Sequence, residues 1–314
     1  MLGSTRESVI ASAMRPPRRL GALTLGRFMR HRMAVAAALL LAILVLFALA
    51  APIAEALLGI DAESVDLLAR MLPPSSDHPL GTDELGRDLL ARLMYGGRIS
   101  LIVGLTTALA AALIGTAIGV TAGYFGGWPD SLLMRLTDSV IALPLLPLLI
   151  VMAAIDLGKL GLPADLATAP ETSLYRIIAI IALVGWTTVA RLVRGATLSL
   201  RTREFVLSAA AVGAGPMRIM LVHILPNAIS PIVVATTLSI GEIILLESVL
   251  SFLGLGIQPP MASWGNMLTN AQDIIFETPW LAVYPGLLIF LTVIAFNFLG
   301  DGLQDALDPK AAWA

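Results

Sequence analysis

The chain has 314 residues, of which 57% are hydrophobic and 13% charged, where a soluble domain carries about 25% charged residues. With a mean hydropathy of +0.88, this composition excludes an ordinary soluble domain and predicts an all-α, polytopic membrane protein. The net charge of −2 says little by itself, but the absence of cysteine excludes disulfides, thiolate metal sites and thiol catalysis.

Histidine occurs only at His31, His78 and His223, too scattered for a histidine metal cluster. Lysine occurs only at Lys159 and Lys310, and neither lies in a GxxxxGK[ST] loop. Any nucleotide-driven step must therefore use an ATP site on another chain. No cofactor is expected on this one.

The leader, residues 1–32, is basic, with Arg6, Arg15, Arg18, Arg19, Arg27, Arg30 and Arg32. The apolar run 33–54 has the roughly 20 residues that cross a bilayer. Ala48, Leu49 and Ala50 imitate a small-residue cleavage site, so a signal peptide is the competing reading. The run continues past that site and the leader is long, which favours a first span. Either reading leaves the N-terminus in the cytoplasm.

Residues 55–98 form a long external connection rich in acids: Asp61, Glu63, Asp66, Asp77, Asp83, Glu84 and Asp88. Within it, residues 83–95 space Leu85, Leu89, Leu90, Leu93 and Met94 as a helix does. The spacing predicts an interfacial amphipathic helix leading into the next span, with a substrate-contacting element as the alternative. The second span, 99–123, repeats Gly115, Gly119 and Gly123 every four residues, a stripe that lets two helix backbones approach closely. Tyr124, Phe125 and Trp128 follow as interfacial anchors.

The third span, 131–155, contains Pro144 and Pro147, each removing a backbone hydrogen bond, and a kink is predicted there. After an acidic loop, the fourth span, 174–193, ends in Arg191 and Arg194. The fifth, 229–255, carries Glu242 and Glu247, and the loop 256–279 has no Lys or Arg. The sixth, 280–299, leads to a tail with Asp301, Asp305 and Asp308. The expected divisions are therefore the leader (1–32), a first helix (33–54), an external loop (55–98), a core of five spans (99–303) and a tail (304–314). Six spans from a cytoplasmic start place residues 199–227 and the C-terminus inside, an N-in/C-in topology. Arg135, Arg191, Arg194, Arg201, Arg203 and Arg218 then all fall on the cytoplasmic side. Arg70, Arg87, Arg92 and Arg98 dilute this bias, in a long acid-rich loop where the rule is weaker.

Residues 203–227 read REFVLSAAAVGAGPMRIMLVHILPN, a moderately polar island between apolar runs. The punctuation predicts one helix over about 203–212, a left-handed stop at Gly213, and a second helix opened by Pro216 and ending near Ile224, before Pro226. Ser208, Ala209, Ala210 and Ala211 leave the first helix slim enough for another surface to approach its backbone.

This stretch resembles the cytoplasmic loop of binding-protein-dependent ABC importer permeases, whose pattern is Glu-Ala-Ala, three residues, Gly, then a spacer ending in Leu-Pro. Gly213, Leu225 and Pro226 fall in register. Residues 78–100, HPLGTDELGRDLLARLMYGGRIS, and 247–268, ESVLSFLGLGIQPPMASWGNML, are similar to the C-type permease subunits of dipeptide, oligopeptide and nickel systems. One departure stands out. Leu207 occupies the motif's glutamate position, Ser208 and Ala209 follow, and Glu204 lies three residues earlier. A family salt bridge at the missing carboxylate is therefore not carried over, whereas the turn at Gly213 and the apolar face of Phe205, Ala209 and Val212 are.

The resemblance implies a multi-pass permease of the bacterial cytoplasmic membrane that lines a translocation path with a homologous second permease subunit. Two cytoplasmic ATPase subunits, which hold ATP and Mg, would receive the coupling residues: Glu204, Phe205, Ser208, Ala209, Val212, Gly213, Pro216, Arg218, Leu225 and Pro226. An extracytoplasmic binding protein would deliver dipeptides or oligopeptides, with nickel chelates, glutathione or another small solute as the alternative. The remaining surroundings are the lipid bilayer, with no nucleic acid. A short, rigid two-helix element suits such a role because it transmits rigid-body motion that a floppy loop would absorb.

Glu242 and Glu247 are candidates for the path, since intramembrane ionisable residues are functional by default. Their spacing of five turns them about 140° apart on a helix. For Glu247 the competing reading is structural pairing with a neighbouring helix; for Glu242 the functional reading is contact with a peptide's ammonium group. An intramembrane hydrolase is disfavoured, because no histidine lies in any predicted span. A passive channel is the remaining rival, but it has no use for an ATPase dock.

Overall fold

The computed structural model describes residues 20–161, 163, 165, 169–269 and 271–307. Arg6, Arg15, Arg18, Arg19, Asp308 and most of the expected tail lie outside them. The described residues form α-helices and irregular connections; apart from an isolated bridge between Thr82 and Asp88, no strand pairing occurs among them.

Helix α1 (Leu20–Phe28) turns into α2 (Arg32–Leu49), where the His31 ring nitrogen accepts the Ala34 amide at 3.1 Å and caps the helix. Helix α3 (Ala51–Leu58) follows, with Pro52 in its first turn. After an irregular segment comes α4 (Leu89–Phe125), whose 37 residues extend about 55 Å at 1.5 Å per residue. That exceeds a hydrocarbon layer about 30 Å thick.

The helix expected over 83–95 does not form as a separate element. Gly86 has φ +77°, and a Cβ there would lie 1.8 Å from the Asp66 carbonyl oxygen, so the chain turns at this position. Asp88 then caps α4 by accepting the Ala91 amide at 2.9 Å. Leu85 belongs to the turn, while Leu89, Leu90, Leu93 and Met94 open α4 itself. Around them, Asp83 bridges Arg87 (2.8 Å) and Arg92 (3.2 Å), and Asp88 meets the His78 ring at 3.0 Å. In the loop before this turn, the Glu63 amide donates to Asp61 at 2.8 Å and holds that carboxyl below the usual carboxylate range.

Helices α5 (Gly127–Ala142) and α6 (Leu145–Ala153) are bent by 86°. The kink expected at Pro144 and Pro147 is thus a full break. Pro144 offers no amide to the Val140 carbonyl and Pro147 none to that of Leu143. Leu143 itself is extended (φ −78°, ψ 138°), the conformation favoured before proline.

Helix α7 (Pro170–Leu200), α8 (Glu204–Ala211), α9 (Ile229–Phe252) and α10 (Trp280–Leu307) complete the order. Among the described residues, five helices, α2, α4, α7, α9 and α10, are long and apolar enough to cross a membrane, and α5 with α6 makes a sixth if the bent pair counts as one span.

The glycine stripe seats α4 on α7. A Cβ at Gly115 would come 2.5 Å from the Trp186 carbonyl oxygen, one at Gly119 2.5 Å from that of Ala190, and one at Gly123 2.6 Å from the Thr197 Cβ. Where lipid tails offer no hydrophobic gain for helix association, such backbone approach supplies the packing. The main core gathers Val103, Leu149, Ile177, Ile181, Ile244 and Leu250 from α4, α6, α7 and α9.

Candidate coupling element and intramembrane carboxylates

Helix α8 ends in a Schellman turn. The Ala214 amide donates to the Ala209 carbonyl and the Gly213 amide to that of Ala210, both at 3.0 Å. Gly213 has φ +89°, and a Cβ there would meet nothing within 4 Å. Glycine is needed for its backbone angle, not for space. Pro216 opens the next turn, Pro216–Arg218, as its missing amide allows.

The second helix departs from the regular one expected to Ile224. Residues Ile219–Ile224 wind as a π-helix, and Leu225–Asn227 as a 3-10 turn that contains Pro226. Pro226 donates no amide, so regular winding cannot pass through it. The Asn227 side-chain amide donates to the His223 carbonyl at 2.7 Å, partnering an acceptor in the irregular turn.

The two pieces share an inner face. Val206, 3% exposed, packs with Ile219 and Ile224 against Tyr124, Leu200 and Ala214. Several apolar side chains of the two pieces are exposed: Phe205 is 43% exposed, Leu207 56%, Met217 65% and Val212 89%. Of the expected apolar face, Phe205 and Val212 are exposed and Ala209 half-buried. Leu207, at the motif's glutamate position, is exposed on another side of α8 from Phe205. Glu204, Ser208, Gly213, Pro216, Arg218 and Pro226 are also exposed, and Leu225 is half-buried.

Sequence reasoning missed the anchor of this element. Arg201, just before α8, donates from Nη1 to the carbonyls of Gly123 (3.1 Å) and Tyr124 (3.3 Å) at the end of α4. These are carbonyls a helix C-terminus leaves without an amide partner. Two turns earlier on α7, Arg194 forms a fork to Asp130 at 2.5 and 2.6 Å, and Arg191, a further turn back, reaches Asp138 at 2.5 Å. The arginines that signalled a cytoplasmic end also tie α7 to α4 and α5.

The two carboxylates of α9 are placed differently. Glu247 is 0% exposed. Its Oε1 accepts Ser251 at 2.7 Å, and its Oε2 accepts Ser100 at 3.4 Å and Ser248 at 3.5 Å. Those serines in turn hold the following loop: the Trp264 amide donates to the Ser100 hydroxyl at 3.2 Å and the Ile257 amide to that of Ser251 at 3.1 Å. The Trp264 indole, fully buried, donates to the Leu93 carbonyl at 2.9 Å. The Glu247 carboxyl group is thus enclosed by this chain, with serine hydroxyls around it. Glu242 is exposed and borders a recess with Thr187, Thr188 and Ser239.

A second cavity, of about 680 Å³, is almost wholly apolar and runs between α4, α9 and the segment 217–225. Leu105, Leu113, Met217, Leu221, Val233 and Ile240 are among its walls.

Residues 115–313 match the family described as binding-protein-dependent transport system inner membrane component, and the chain belongs to it. Residues 20–74 match the N-terminal TM domain of oligopeptide transport permease C. Among its relatives, the glutathione transport system permease protein GsiD of Pectobacterium atrosepticum is 42% identical over 285 residues, 90% of this chain and 89% of that protein. The dipeptide transport system permease protein DppC of Alkalihalophilus pseudofirmus is 43% identical over 77% of this chain and 75% of its own length. The oligopeptide transport system permease protein OppC of Bacillus subtilis is 37% identical over 90% and 88%.

Proposed function

We propose that the chain is a transmembrane subunit of an ATP-driven importer of dipeptides or oligopeptides in the bacterial cytoplasmic membrane. It spans six times with both termini inside, counting α5 and α6 as one broken span. A homologous permease subunit completes the path, two ATPase subunits supply hydrolysis, and an external binding protein delivers the solute.

The observation that carries this reading is the exposed apolar pair Phe205 and Val212 on one side of α8, beside a capped turn and fastened to α4 through Arg201. Exposed apolar surface of this kind, bordered by polar residues, marks an interaction site. Its partner is the groove of an ATPase subunit. The ten residues from Glu204 to Pro226 singled out from the sequence belong to this dock, and motion of the ATPase pair passes through it as a rigid-body shift. Glu247 serves as a structural tie between α9, α4 and the loop 255–266.

Purification of the full chain with its partners in mild detergent tests this reading. Two ATPase chains should accompany the wild type, and Val212→Asp should release them while the chain still inserts. Purification without any ATPase would favour a passive channel.

The 42% identity to a protein named for glutathione transport favours a second reading in which glutathione is the solute. Uptake of a labelled dipeptide in competition with unlabelled glutathione separates the two.

A further inference from the structure

Glu242 lies near the middle of α9, among mainly apolar residues. Its carboxylate is exposed and enters no hydrogen bond or ion pair among the described residues. An ionisable side chain at that depth avoids lipid and faces the bundle interior or a water-filled cavity. Here it borders a recess of about 200 Å³, enough for an ammonium group and a few waters.

A second feature meets the same recess independently. Leu143, at the break between α5 and α6, lines it. Irregular backbone at membrane depth persists only where protein buries it or water reaches it. Broken helices in transporters characteristically border the solute site. The broken span and the unpaired carboxylate thus converge on one place.

The lining chemistry selects the ligand. The Thr187 hydroxyl donates to the Val184 carbonyl at 3.3 Å and the Ser239 hydroxyl to that of Ala235 at 2.8 Å. Their lone pairs are left as acceptors toward the recess. The Leu143 carbonyl has no helical donor four residues on, because Pro147 has no amide. No Arg, Lys or His lines the recess. Such a lining offers acceptors and a negative charge, and it repels anions. Glu247 cannot play this part, since its oxygens already accept serine hydroxyls.

We propose that this recess is a waypoint for the primary ammonium group of the transported solute, with Glu242 as its counter-charge. The proposal rests on the peptide-import reading above and adds the group that is recognised within the membrane.

The test uses the complete importer in proteoliposomes, comparing uptake of a dipeptide and its N-acetylated form, each at saturation of the binding protein. Glu242→Gln should lower the ratio of free to acetylated uptake about tenfold, the effect of losing one charged hydrogen-bond partner. Glu242→Asp should keep most of the ratio. Because the chain lacks cysteine, Ser239→Cys introduces its sole thiol in the recess beside an intact Glu242, and dipeptide should slow that thiol's reaction with a water-soluble thiosulfonate. Protection of the thiol decides the matter if the wild type refuses the acetylated form. An unchanged ratio, or a thiol that dipeptide does not protect, overturns the proposal. Loss of the second permease on purification of Glu242→Gln also overturns it, because it assigns the carboxylate to a subunit salt bridge. A wild-type importer that takes up no peptide overturns the peptide reading itself, and this inference with it.

Discussion

Arg201 donates to the Gly123 carbonyl at 3.1 Å, joining the last turn of α4 to the residue that leads into α8. The same guanidinium nitrogen reaches Tyr124, and a Cβ at Gly126 would lie 2.9 Å from it. The residue leading into α8 is thereby tied to α4 as well as to α7. Arg201→Ala should leave those carbonyls unpartnered and cost about 1–3 kcal/mol. The expected result is a lower melting temperature of the purified complex and weaker substrate stimulation of ATP hydrolysis. Unchanged stimulation would leave Arg201 a purely local cap.

The stripe on α4 makes a steric prediction. Gly119→Ala places a methyl 2.5 Å from the Ala190 carbonyl oxygen, and backbone cannot move aside as a flexible side chain would. Overpacking of this kind costs about 1–3 kcal/mol. Gly195→Ala, where a Cβ would meet nothing within 4 Å, is the matched control. Size-exclusion profiles after heating should show early aggregation for the first substitution alone.

Glu247 supports a third prediction through what its removal leaves behind. Glu247→Ala strips the acceptor from the buried Ser100 and Ser251 hydroxyls, at about 1–3 kcal/mol for each group left without one, while Ser248 keeps the Ile244 carbonyl at 2.8 Å. Glu247→Gln keeps one acceptor oxygen and should be milder. Limited proteolysis of the loop 255–266 reads the difference, with cleavage expected to rise in the order wild type, Gln, Ala. Equal protection in all three would remove the structural role assigned to this carboxylate.

Much of this architecture was legible in the sequence, and the physics explains which parts were. Spans follow from hydropathy, and the Gly115, Gly119 and Gly123 repeat reads directly as a close-packed face because helical geometry alone brings every fourth residue to one side. Gly213 and Pro216 were legible for the same local reason: each residue restricts its own backbone. The start of α4 was not, since the spacing of Leu85 with Leu89 fits a helix, and only the Asp66 backbone lying against Gly86 rules it out. Two prolines predicted a disturbance in the third span but not its 86° size, which depends on what packs around the break. The setting of Glu247 was hidden for a different reason. Its partners come from α4, 147 residues away, as well as from its own helix, and no local pattern links Ser100 to it. The apolar Leu207 in place of a carboxylate was visible, but its exposure required the fold.

The central claim, that residues 204–227 pass ATPase motion to the spans, is tested most directly at Gly213. Gly213→Val forces a β-branched residue to positive φ, where it is strained, while Gly213→Asn tolerates that conformation far better. Neither adds a close contact at the Cβ, so the backbone angle is the variable that separates them. The measurement is substrate-stimulated ATP hydrolysis by the reconstituted complex, with membrane insertion checked for both variants. The account predicts lost stimulation for Gly213→Val and retained stimulation for Gly213→Asn. Full stimulation by an inserted Gly213→Val complex would contradict it.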